Sequence, residues 1–415
     1  MSGIRKPSSI ARRSNVPLLG RSRLMSFYQR RATRLAPTLP RPELAAFLPH
    51  QSWRWISSYA RQMLRRRYAP YPSYAGTGEC GIYALRNANG KGAVRISIAS
   101  DWGTGTQEAA QVAESMAAGA PDYTIHLGDI YYVGDETEVR ENFLGTMVNQ
   151  YSPVMWPKGA VGTFALPGNH EMYAGGGSYF TAVLDYCESG DGGPQRASYF
   201  CLESEHWRIL GLDTGYNSAG LPLLAAIPGV NQLRWVHADC RMEDGLIAWL
   251  CDTVKPQERP KATLILTHHQ YATAFTDEVF PRPARQLAEF FAGQEVVWLW
   301  GHEHRLAIYK FRATPGAFGA YGRCIGHGGM PVECGERPRK KAGLKFYDAR
   351  GDYKVGEGAA CAGWNGFVNV ACNGTLLEID YLDLHNRILF QECFTAKPDR
   401  CLHHEYKNAR LEYFS

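Results

Sequence analysis

Apolar residues change their spacing repeatedly along the chain from about residue 80 onward. Short runs rich in β-branched and aromatic residues predict strands, whereas apolar residues three or four positions apart predict helices. The predicted strands are Ile82–Leu85, Val94–Ala99, Tyr123–Leu127, Val161–Leu166, Ser198–Leu202, Trp207–Leu212, Thr263–Leu266, Glu295–Trp300, Gly366–Val370, Leu376–Tyr381 and Ile388–Cys393. The predicted helices are Thr106–Ala118, Glu136–Gln150, Glu243–Val254 and Pro283–Ala292. This succession predicts an α/β fold in which a two-sheet β-sandwich is flanked by helices.

Two stretches outside these elements give further structural predictions. Ile82–Leu85 and Val94–Ala99 flank Asn89-Gly90, which is a hairpin-like signal with a looser connection than the ideal. Residues 312–365 contain many Gly residues and several Lys and Arg, which predicts a long excursion outside the core. Within that excursion, Gly326-His327-Gly328-Gly329 predicts a structural turn in preference to the wall of a cleft.

Basic residues are concentrated at the N-terminus. Residues 1–78 hold fifteen Lys and Arg against one acid, Glu43, and so carry +14, whereas residues 79–415 carry −9. The first 42 residues are rich in Arg, Ser and Pro with little apolar periodicity, which predicts disorder. We therefore expect a basic, largely disordered arm at 1–78, followed by one folded domain at 79–415.

An amphipathic helix is predicted within this arm. Ser52 is a candidate N-cap, and the apolar residues after it share one face: Trp53, Ile56, Ala60, Met63 and Leu64. The helix also carries five arginines, at 54, 61 and 65–67. Such a helix suits an anionic membrane surface, and it equally suits docking of its aromatic face on the main domain. The Arg- and Ser-rich composition also fits mitochondrial targeting in a eukaryotic protein.

The rest of the composition bears on the compartment. Hydrophobic residues make up 45% of the chain and charged residues 20%, as in soluble globular proteins. No apolar run approaches the roughly 20 residues of a membrane span, and no secretory signal is seen. The eleven cysteines form no C-x-x-C pair, so we expect reduced thiols. These features predict a cytoplasmic or peripheral membrane location.

Five short motifs follow predicted strands, and each contains side chains that bind metal ions. They are Asp101-Trp102-Gly103, Gly128-Asp129-Ile130-Tyr131-Tyr132, Gly168-Asn169-His170-Glu171, His268-His269 and Gly301-His302-Glu303-His304. Loops at the carboxyl ends of neighbouring strands converge, so groups far apart in sequence can meet. Carboxylates, imidazoles, an amide and a phenol together suit iron, zinc or manganese. The ordered set therefore predicts a metal site, although any one motif alone would indicate only a turn.

The motifs resemble those of the calcineurin-like metallophosphoesterase superfamily, and within it the purple acid phosphatase type. The resemblance covers roughly residues 94–310 and consists of D-x-G, G-D-x-x-Y, G-N-H-[DE], an apolar-x-x-H step and G-H-x-H. The first two motifs, the second continuing into Val133-Gly134, are most similar to the small, single-domain branch. Many members of the superfamily have D-x-H as the first motif, whereas Gly103 has no side chain to bind metal. Tyr132 is placed to supply the missing ligand, and a phenolate favours Fe(III).

The resemblance implies a centre of two metal ions, Fe(III) with divalent iron, zinc or manganese. The first ion would be bound by Asp101, Asp129, Tyr132 and His304. The second would be bound by Asp129, Asn169, His268 and His302, so that Asp129 bridges the two ions.

Two further histidines are implied in substrate binding and catalysis. His170 resembles the family histidine that contacts substrate or protonates the leaving oxygen. His269 has three open roles, namely to replace His268 as ligand, to orient a ligand, or to face the substrate. The resemblance favours His268 as ligand because it stands at the family's x-x-H position. Tyr131 is expected to pack against a helix, with Glu171 as a supporting or turn group.

The resemblance implies a hydrolase, a metal-dependent phosphoric ester hydrolase that uses in-line attack by a metal-activated hydroxide. Phosphomonoesters are the expected substrates, either small molecules or phosphorylated macromolecules, and phosphodiester hydrolysis on the same centre is the alternative. A different alternative is a protein dominated by binding of anionic membranes or nucleic acid through residues 1–78. No nucleic-acid-binding motif accompanies that charge.

Overall fold

The computed structural model describes residues 68–148, 153–220, 238–332, 337–339, 343–351, 353–355 and 360–409. The predicted helix after Ser52 and the predicted disorder of the first 42 residues lie outside these ranges. The end of the predicted arm lies within them and contacts the rest of the chain. The Tyr74 hydroxyl donates to the Tyr199 carbonyl at 2.9 Å, and the Tyr71 ring stacks on the Tyr199 ring. Tyr71 and Tyr74 therefore pack with the folded domain.

The described residues form eighteen strands and six short α-helices. The strands are β1 Ile82–Ala84, β2 Val94–Ala99, β3 Tyr123–His126, β4 Gly162–Ala165, β5 Phe200–Glu203, β6 Trp207–Gly211, β7 Ala262–Thr267, β8 Glu295–Trp300, β9 Leu306–Tyr309, β10 Arg312–Ala313, β11 Gly319–Ile325, β12 Leu344–Tyr347, β13 Tyr353–Val355, β14 Ala360–Ala362, β15 Gly366–Asn373, β16 Leu376–Asp383, β17 Ile388–Ala396 and β18 Leu402–Ala409. The helices are α1 Gln107–Ala118, α2 Glu136–Asn142, α3 Asn169–Met172, α4 Leu184–Tyr186, α5 Asp244–Trp249 and α6 Pro281–Gln286, with π-helical turns at Tyr179–Val183 and Leu250–Val254. Across the described ranges, no helix is long and apolar enough to cross a membrane.

The strands assemble into two large sheets that face each other. The first sheet has the order β1-β5-β6-β7-β8-β11-β9-β12, with β10 paired to β11, and the second has the order β18-β17-β16-β15-β2-β3-β4. Ile98 and Ile125 of the second sheet lie in one buried cluster with Leu264 and Val297 of the first. Helix α1 covers the outer face of the second sheet, and α5 covers that of the first. This arrangement confirms the predicted two-sheet α/β sandwich.

The predicted hairpin between the first two strands is wrong. β1 pairs in parallel with β5 in the first sheet, whereas β2 pairs with β15 and β3 in the second. Asn89-Gly90 does form a turn, since the Gly90 N–H donates to the Asn87 carbonyl. The carboxylate of Asp122 accepts the N–H groups of Ala88 and Arg95, each at 2.8 Å. It thereby fixes the segment that connects β1 of the first sheet to β2 of the second.

The predicted excursion at 312–365 is also wrong, because two of its strands, β11 and β12, belong to the first sheet. β11 lies between β8 and β9 in the middle of the first sheet. Its sequence conceals this position because it contains Gly319, Gly322 and Arg323 in place of an apolar run. The Arg323 guanidinium is fully buried because it pairs with the Glu392 carboxylate of β17, in the facing sheet, at 2.6 Å. The Gly326–Gly329 segment is a loop after β11, as the sequence predicted.

Candidate metal centre

The five motifs meet at one end of the sandwich. Asp101, Asp129 and Asn169 follow β2, β3 and β4 of the second sheet, whereas His268 and the pair His302 and His304 follow β7 and β8 of the first. In these parallel strands the carboxyl ends share an edge, so their loops converge between the sheets. The convergence predicted from sequence is therefore present in the fold.

One group of donor atoms surrounds the amide oxygen of Asn169. This Oδ1 lies 3.0 Å from His302 Nδ1 and 3.3 Å from His268 Nε2. His268 Nε2 also lies 3.4 Å from Asp129 Oδ2. The four side chains predicted for the second metal ion are thus linked by a continuous series of contacts.

A second group of donor atoms surrounds the hydroxyl of Tyr131. This hydroxyl lies 2.9 Å from Asp101 Oδ1, 3.0 Å from Asp129 Oδ2 and 3.1 Å from His304 Nε2. The expectation that Tyr131 only packs against a helix is therefore wrong. Asp129 takes part in both groups through the same carboxylate oxygen.

Tyr132, the predicted phenol ligand, is buried beside the centre. It belongs to an apolar cluster with Met172, Tyr173 and Met330. Its carbonyl oxygen lies 2.6 Å from His170 Nδ1. The peptide bond between Tyr131 and Tyr132 is cis. Tyr131 belongs to the same apolar cluster, and its hydroxyl contacts Asp101, Asp129 and His304.

The carboxylate of Glu171 joins two of the converging loops. Its Oε1 accepts the Ile130 N–H at 2.6 Å, and its Oε2 accepts the N–H groups of Gly168 at 2.6 Å and Asp129 at 3.2 Å. The loop after β4 comes so near Asp129 that a Cβ at Gly168 would lie 2.1 Å from Asp129 Oδ1. Glu171 thus holds the Asp129 and Asn169 loops together, in line with the supporting role expected from sequence.

Three candidate ligand residues adopt left-handed backbone conformations. Their φ angles are 58° for Asp101, 74° for Asp129 and 63° for His302. Residues with a Cβ seldom adopt this region, and it costs on the order of 1–3 kcal/mol where it occurs. Such strain is concentrated at binding and catalytic sites, so its occurrence at three ligand positions supports a functional centre.

Burial and mutual proximity shift the pKa values of these groups. Burial opposes ionisation of Asp129, yet His268 and His170 hold its pKa well below the usual range. Burial raises the pKa of Asp101 to about 6. Burial would lower the pKa of His268, but the Asp129 carboxylate raises it overall. Burial lowers the pKa of His304 to about 3, so this imidazole is neutral and free to act as a ligand.

His170 and His269 flank the donor groups. His170 Nε2 lies 3.8 Å from Asp129 Oδ2. His269 Nδ1 lies 3.1 Å from Thr214 Oγ1, and His269 offers a ligand atom within 4.8 Å of those of His268 and His302. This position is compatible with each of the roles expected for His269. Thr214 could not be predicted from the sequence, because a lone threonine after a strand carries no motif.

A further carboxylate, that of Glu278, contacts the centre without a sequence signal. Glu278 Oε2 lies 3.4 Å from His302 Nε2, the ring nitrogen that faces away from Asn169. Glu278 stands in an irregular loop ahead of α6, so neither periodicity nor motif spacing indicated it.

The donor set fits metal ions. His268 Nδ1 lies 2.8 Å from the Leu127 carbonyl and so carries the proton, which leaves Nε2 facing oxygens of Asp129 and Asn169. A positive charge between this nitrogen and those oxygens, whether a proton or a metal ion, makes the arrangement favourable. Ligand atoms at about 2.0–2.2 Å from one ion are about 3 Å apart in octahedral geometry. The separations here run from 2.9 to 3.4 Å.

Several solved structures are similar to parts of this chain. Purple acid phosphatase PPD1 from yellow lupin (Lupinus luteus) seeds is 13% identical with a TM-score of 0.46, and the match covers 77% of this chain and 56% of that one. GAP50, the anchor in the inner membrane complex of Plasmodium, is 11% identical with a TM-score of 0.48, covering 75% of this chain and 91% of that one. PhoD is 11% identical with a TM-score of 0.42, covering 79% and 74%. These likenesses carry no conclusion about activity.

The sequence of the chain matches a protein family but no individual curated protein. No curated protein matches the chain. A family model described as calcineurin-like phosphoesterase matches residues 94–306, just over half of the chain. The match begins at β2 and ends at β9, and so includes all five loops that form the candidate centre. The chain is therefore a member of the calcineurin-like phosphoesterase family.

Proposed function

We propose that the protein hydrolyses phosphate monoesters at a centre of two metal ions, in the manner of purple acid phosphatases. Family membership supports metal-dependent hydrolysis of phosphate esters in general. The observation that carries the proposal is the position of Asp129 between the two donor groups. Its Oδ2 lies 3.0 Å from the Tyr131 hydroxyl on one side and 3.4 Å from His268 Nε2 on the other. A carboxylate shared in this way offsets the repulsion between two adjacent cations.

The proposed ligands follow the two donor groups. Asp101, Asp129 and His304, with a phenol from the Asp129 loop, would hold the first ion. Asp129, Asn169, His268 and His302 would hold the second. A phenolate favours a trivalent ion, so Fe(III) with divalent iron, zinc or manganese is the proposed pair. When bound, the ions would supply Lewis-acid activation of water and charge neutralisation at the phosphoryl group.

His170 is proposed to contact the substrate. Its Nδ1–H donates to the Tyr132 carbonyl at 2.6 Å, so the ring orientation is set by the backbone. A proton added to this imidazole can only be held at Nε2, which faces the centre 3.8 Å from Asp129 Oδ2. Nε2 is therefore the atom suited to protonate a leaving alkoxide. The buried His269, whose ring centroid lies 4.8 Å from that of His302, is proposed to face the substrate.

Metal dependence is tested with paired histidine variants. We expect His302→Ala to lose bound metal and hydrolysis of nitrophenyl phosphate, because it removes a donor from the Asn169 group. His403→Ala removes an exposed imidazole of β18, the edge strand of the second sheet, and serves as the matched control. Metal content by mass spectrometry and turnover are measured for both. If His302→Ala retains parental metal content and turnover, the centre does not exist.

The monoester preference rests on the motif resemblance and needs a separate assay. Turnover of nitrophenyl phosphate is compared with that of bis-nitrophenyl phosphate on the same metal-loaded preparation. We expect faster turnover of the monoester. Equal or greater turnover of the diester would replace the proposal by phosphodiester hydrolysis while leaving the centre intact.

A separate proposal concerns residues 1–78, whose charge of +14 favours contact with an anionic membrane surface or another polyanion. Tyr71 and Tyr74 pack with the folded domain, so the informative deletion removes residues 1–67 and spares them. We expect the full chain to bind vesicles containing anionic lipid at low salt and the deletion variant to lose binding but keep hydrolysis. Binding that is unaffected by the deletion would exclude this role.

A further inference from the structure

We propose that Tyr131, and not the motif tyrosine Tyr132, is the phenolate that binds the first metal ion. The inference rests on the dimetal function proposed above and adds which of the two adjacent phenols is the ligand. It differs from the motif resemblance, which selects the tyrosine three positions after Asp129 and therefore Tyr132.

The first argument counts hydrogens around the Tyr131 hydroxyl. The hydroxyl contacts Asp101 Oδ1, Asp129 Oδ2 and His304 Nε2 at 2.9, 3.0 and 3.1 Å. When both carboxylates are ionised, the hydroxyl has one hydrogen to donate, and at most one more comes from the His304 ring. Two hydrogens cannot satisfy all three contacts, so one carboxylate oxygen meets the phenol oxygen with no proton between them. A cation among these four atoms removes that repulsion.

The second argument concerns the first motif, where Gly103 brings no side chain. The backbone of Gly103 runs beside the Asp129 loop, because Gly103 N–H donates to the Asp129 carbonyl and Tyr131 N–H donates to the Gly103 carbonyl at 2.8 Å. A Cβ at position 103 would lie 2.8 Å from the Ile130 Cα, so only glycine permits this approach. The Tyr131 ring thereby enters the centre next to the position where related proteins carry a histidine.

The third argument is that the Tyr131 backbone is fixed while the Tyr132 backbone has another task. The Asn142 amide of α2 donates to the Tyr131 carbonyl at 2.9 Å, and Asn142 is fully buried. The Tyr132 carbonyl accepts from His170 Nδ1, so it orients the proposed proton donor. The Tyr132 carbonyl therefore supports His170, while the Tyr131 hydroxyl is held against the two carboxylates.

The test uses the full-length protein loaded with ferric ion and zinc. The parent is expected to show a visible charge-transfer band from phenolate to Fe(III), two ions per chain, and hydrolysis of nitrophenyl phosphate. We expect Tyr131→Phe to lose the band and Tyr132→Phe to keep it. Tyr131→His retains a donor atom at the same position, so it is expected to bind two ions but to be colourless.

The possible outcomes distinguish failure of this inference from failure of the proposed dimetal function. Loss of the band in Tyr132→Phe, with both ions retained, would overturn the inference, as would a band that persists in Tyr131→His. An active, iron-loaded parent without a band would also overturn it, since no phenol would then bind the ion. A parent that binds no metal and hydrolyses no ester would instead refute the proposed function. If Tyr131→Phe fails to fold, the Tyr132→Phe and Tyr131→His spectra still decide.

Discussion

Replacing Gly168 with alanine is expected to disrupt the candidate centre through a single added methyl group. The new Cβ would lie 2.1 Å from Asp129 Oδ1 and 2.8 Å from the His268 ring. Neither neighbour can easily yield. Asp129 Oδ1 accepts the His170 N–H at 3.1 Å, and His268 is held through its Nδ1 contact with the Leu127 carbonyl.

The size of the effect follows from that distance. Ordinary contact begins near 3.4 Å, so Asp129 and position 168 must separate by about 1.3 Å. The Gly168 N–H is bonded to Glu171 Oε2 at 2.6 Å, so the movement also strains the support of the Asp129 loop. Misplacement by about 1 Å at a catalytic centre costs about 100-fold in rate. We therefore expect kcat/KM to fall by about 100-fold, or about 2.7 kcal/mol of transition-state stabilisation.

The assay compares Gly168→Ala with Gly177→Ala. Position 177 is nine residues away, and a Cβ there would meet nothing within 4 Å, so the control adds the same methyl group without a clash. Phosphate-ester turnover and metal content are measured on both proteins and on the parent. Parental turnover and metal content in Gly168→Ala would refute the claim that the loop after β4 is held against Asp129.

Three further predictions concern supporting residues. Burial would raise the pKa of Glu392, but Arg323 and His404 lower it to about 2. Its contribution to stability is therefore full above the unfolded pKa near 4.3 and is lost as the pH falls through 2, about 3 kcal/mol in all. Urea unfolding at several pH values should show this loss in the parent and not in Glu392→Gln; identical profiles would contradict the reasoning. Glu171→Gln places an amide against backbone N–H groups, so chelator competition should show metal affinity reduced about 10- to 100-fold; unchanged affinity would count against Glu171 as a link between loops. Thr106→Ala removes the oxygen that accepts the Ala109 N–H at the start of α1, so the free energy of unfolding should fall by about 1 kcal/mol without loss of metal; a change in metal content would contradict that purely structural role.

Elements with uninterrupted apolar patterns were predictable from sequence. Val94–Ala99 and Glu295–Trp300 form strands with the predicted bounds, because they are buried and rich in apolar residues. β11 was missed because its place in the core depends on a pairing between Arg323 and a carboxylate almost 70 residues away. The hairpin was misjudged because turn chemistry at Asn89-Gly90 describes the local bend, whereas strand partners are set by the rest of the sheets.

For the candidate centre, too, the motifs predicted part of the arrangement, whereas the rest depends on the geometry of the folded chain. Motif order correctly indicated that Asp101, Asp129, Asn169 and the β7 and β8 histidines converge, because each follows a strand. It could not indicate which of two adjacent tyrosines faces the carboxylates, since that depends on how the backbone runs beside Gly103. Glu278 was beyond reach because its contact with His302 arises from loop packing alone.

Because the donor atoms are drawn from both sheets, occupancy of the centre and cohesion of the sandwich are thermodynamically linked. Asp101, Asp129 and Asn169 belong to one sheet, and the three histidines after β7 and β8 belong to the other. An ion held by both groups acts as a cross-link at the open end of the two layers. Each tenfold rise in free metal above its dissociation constant then adds about 1.4 kcal/mol to the stability of the folded chain. Scarcity of metal would therefore lower the stability of the two-sheet sandwich as well as remove the proposed hydrolytic activity.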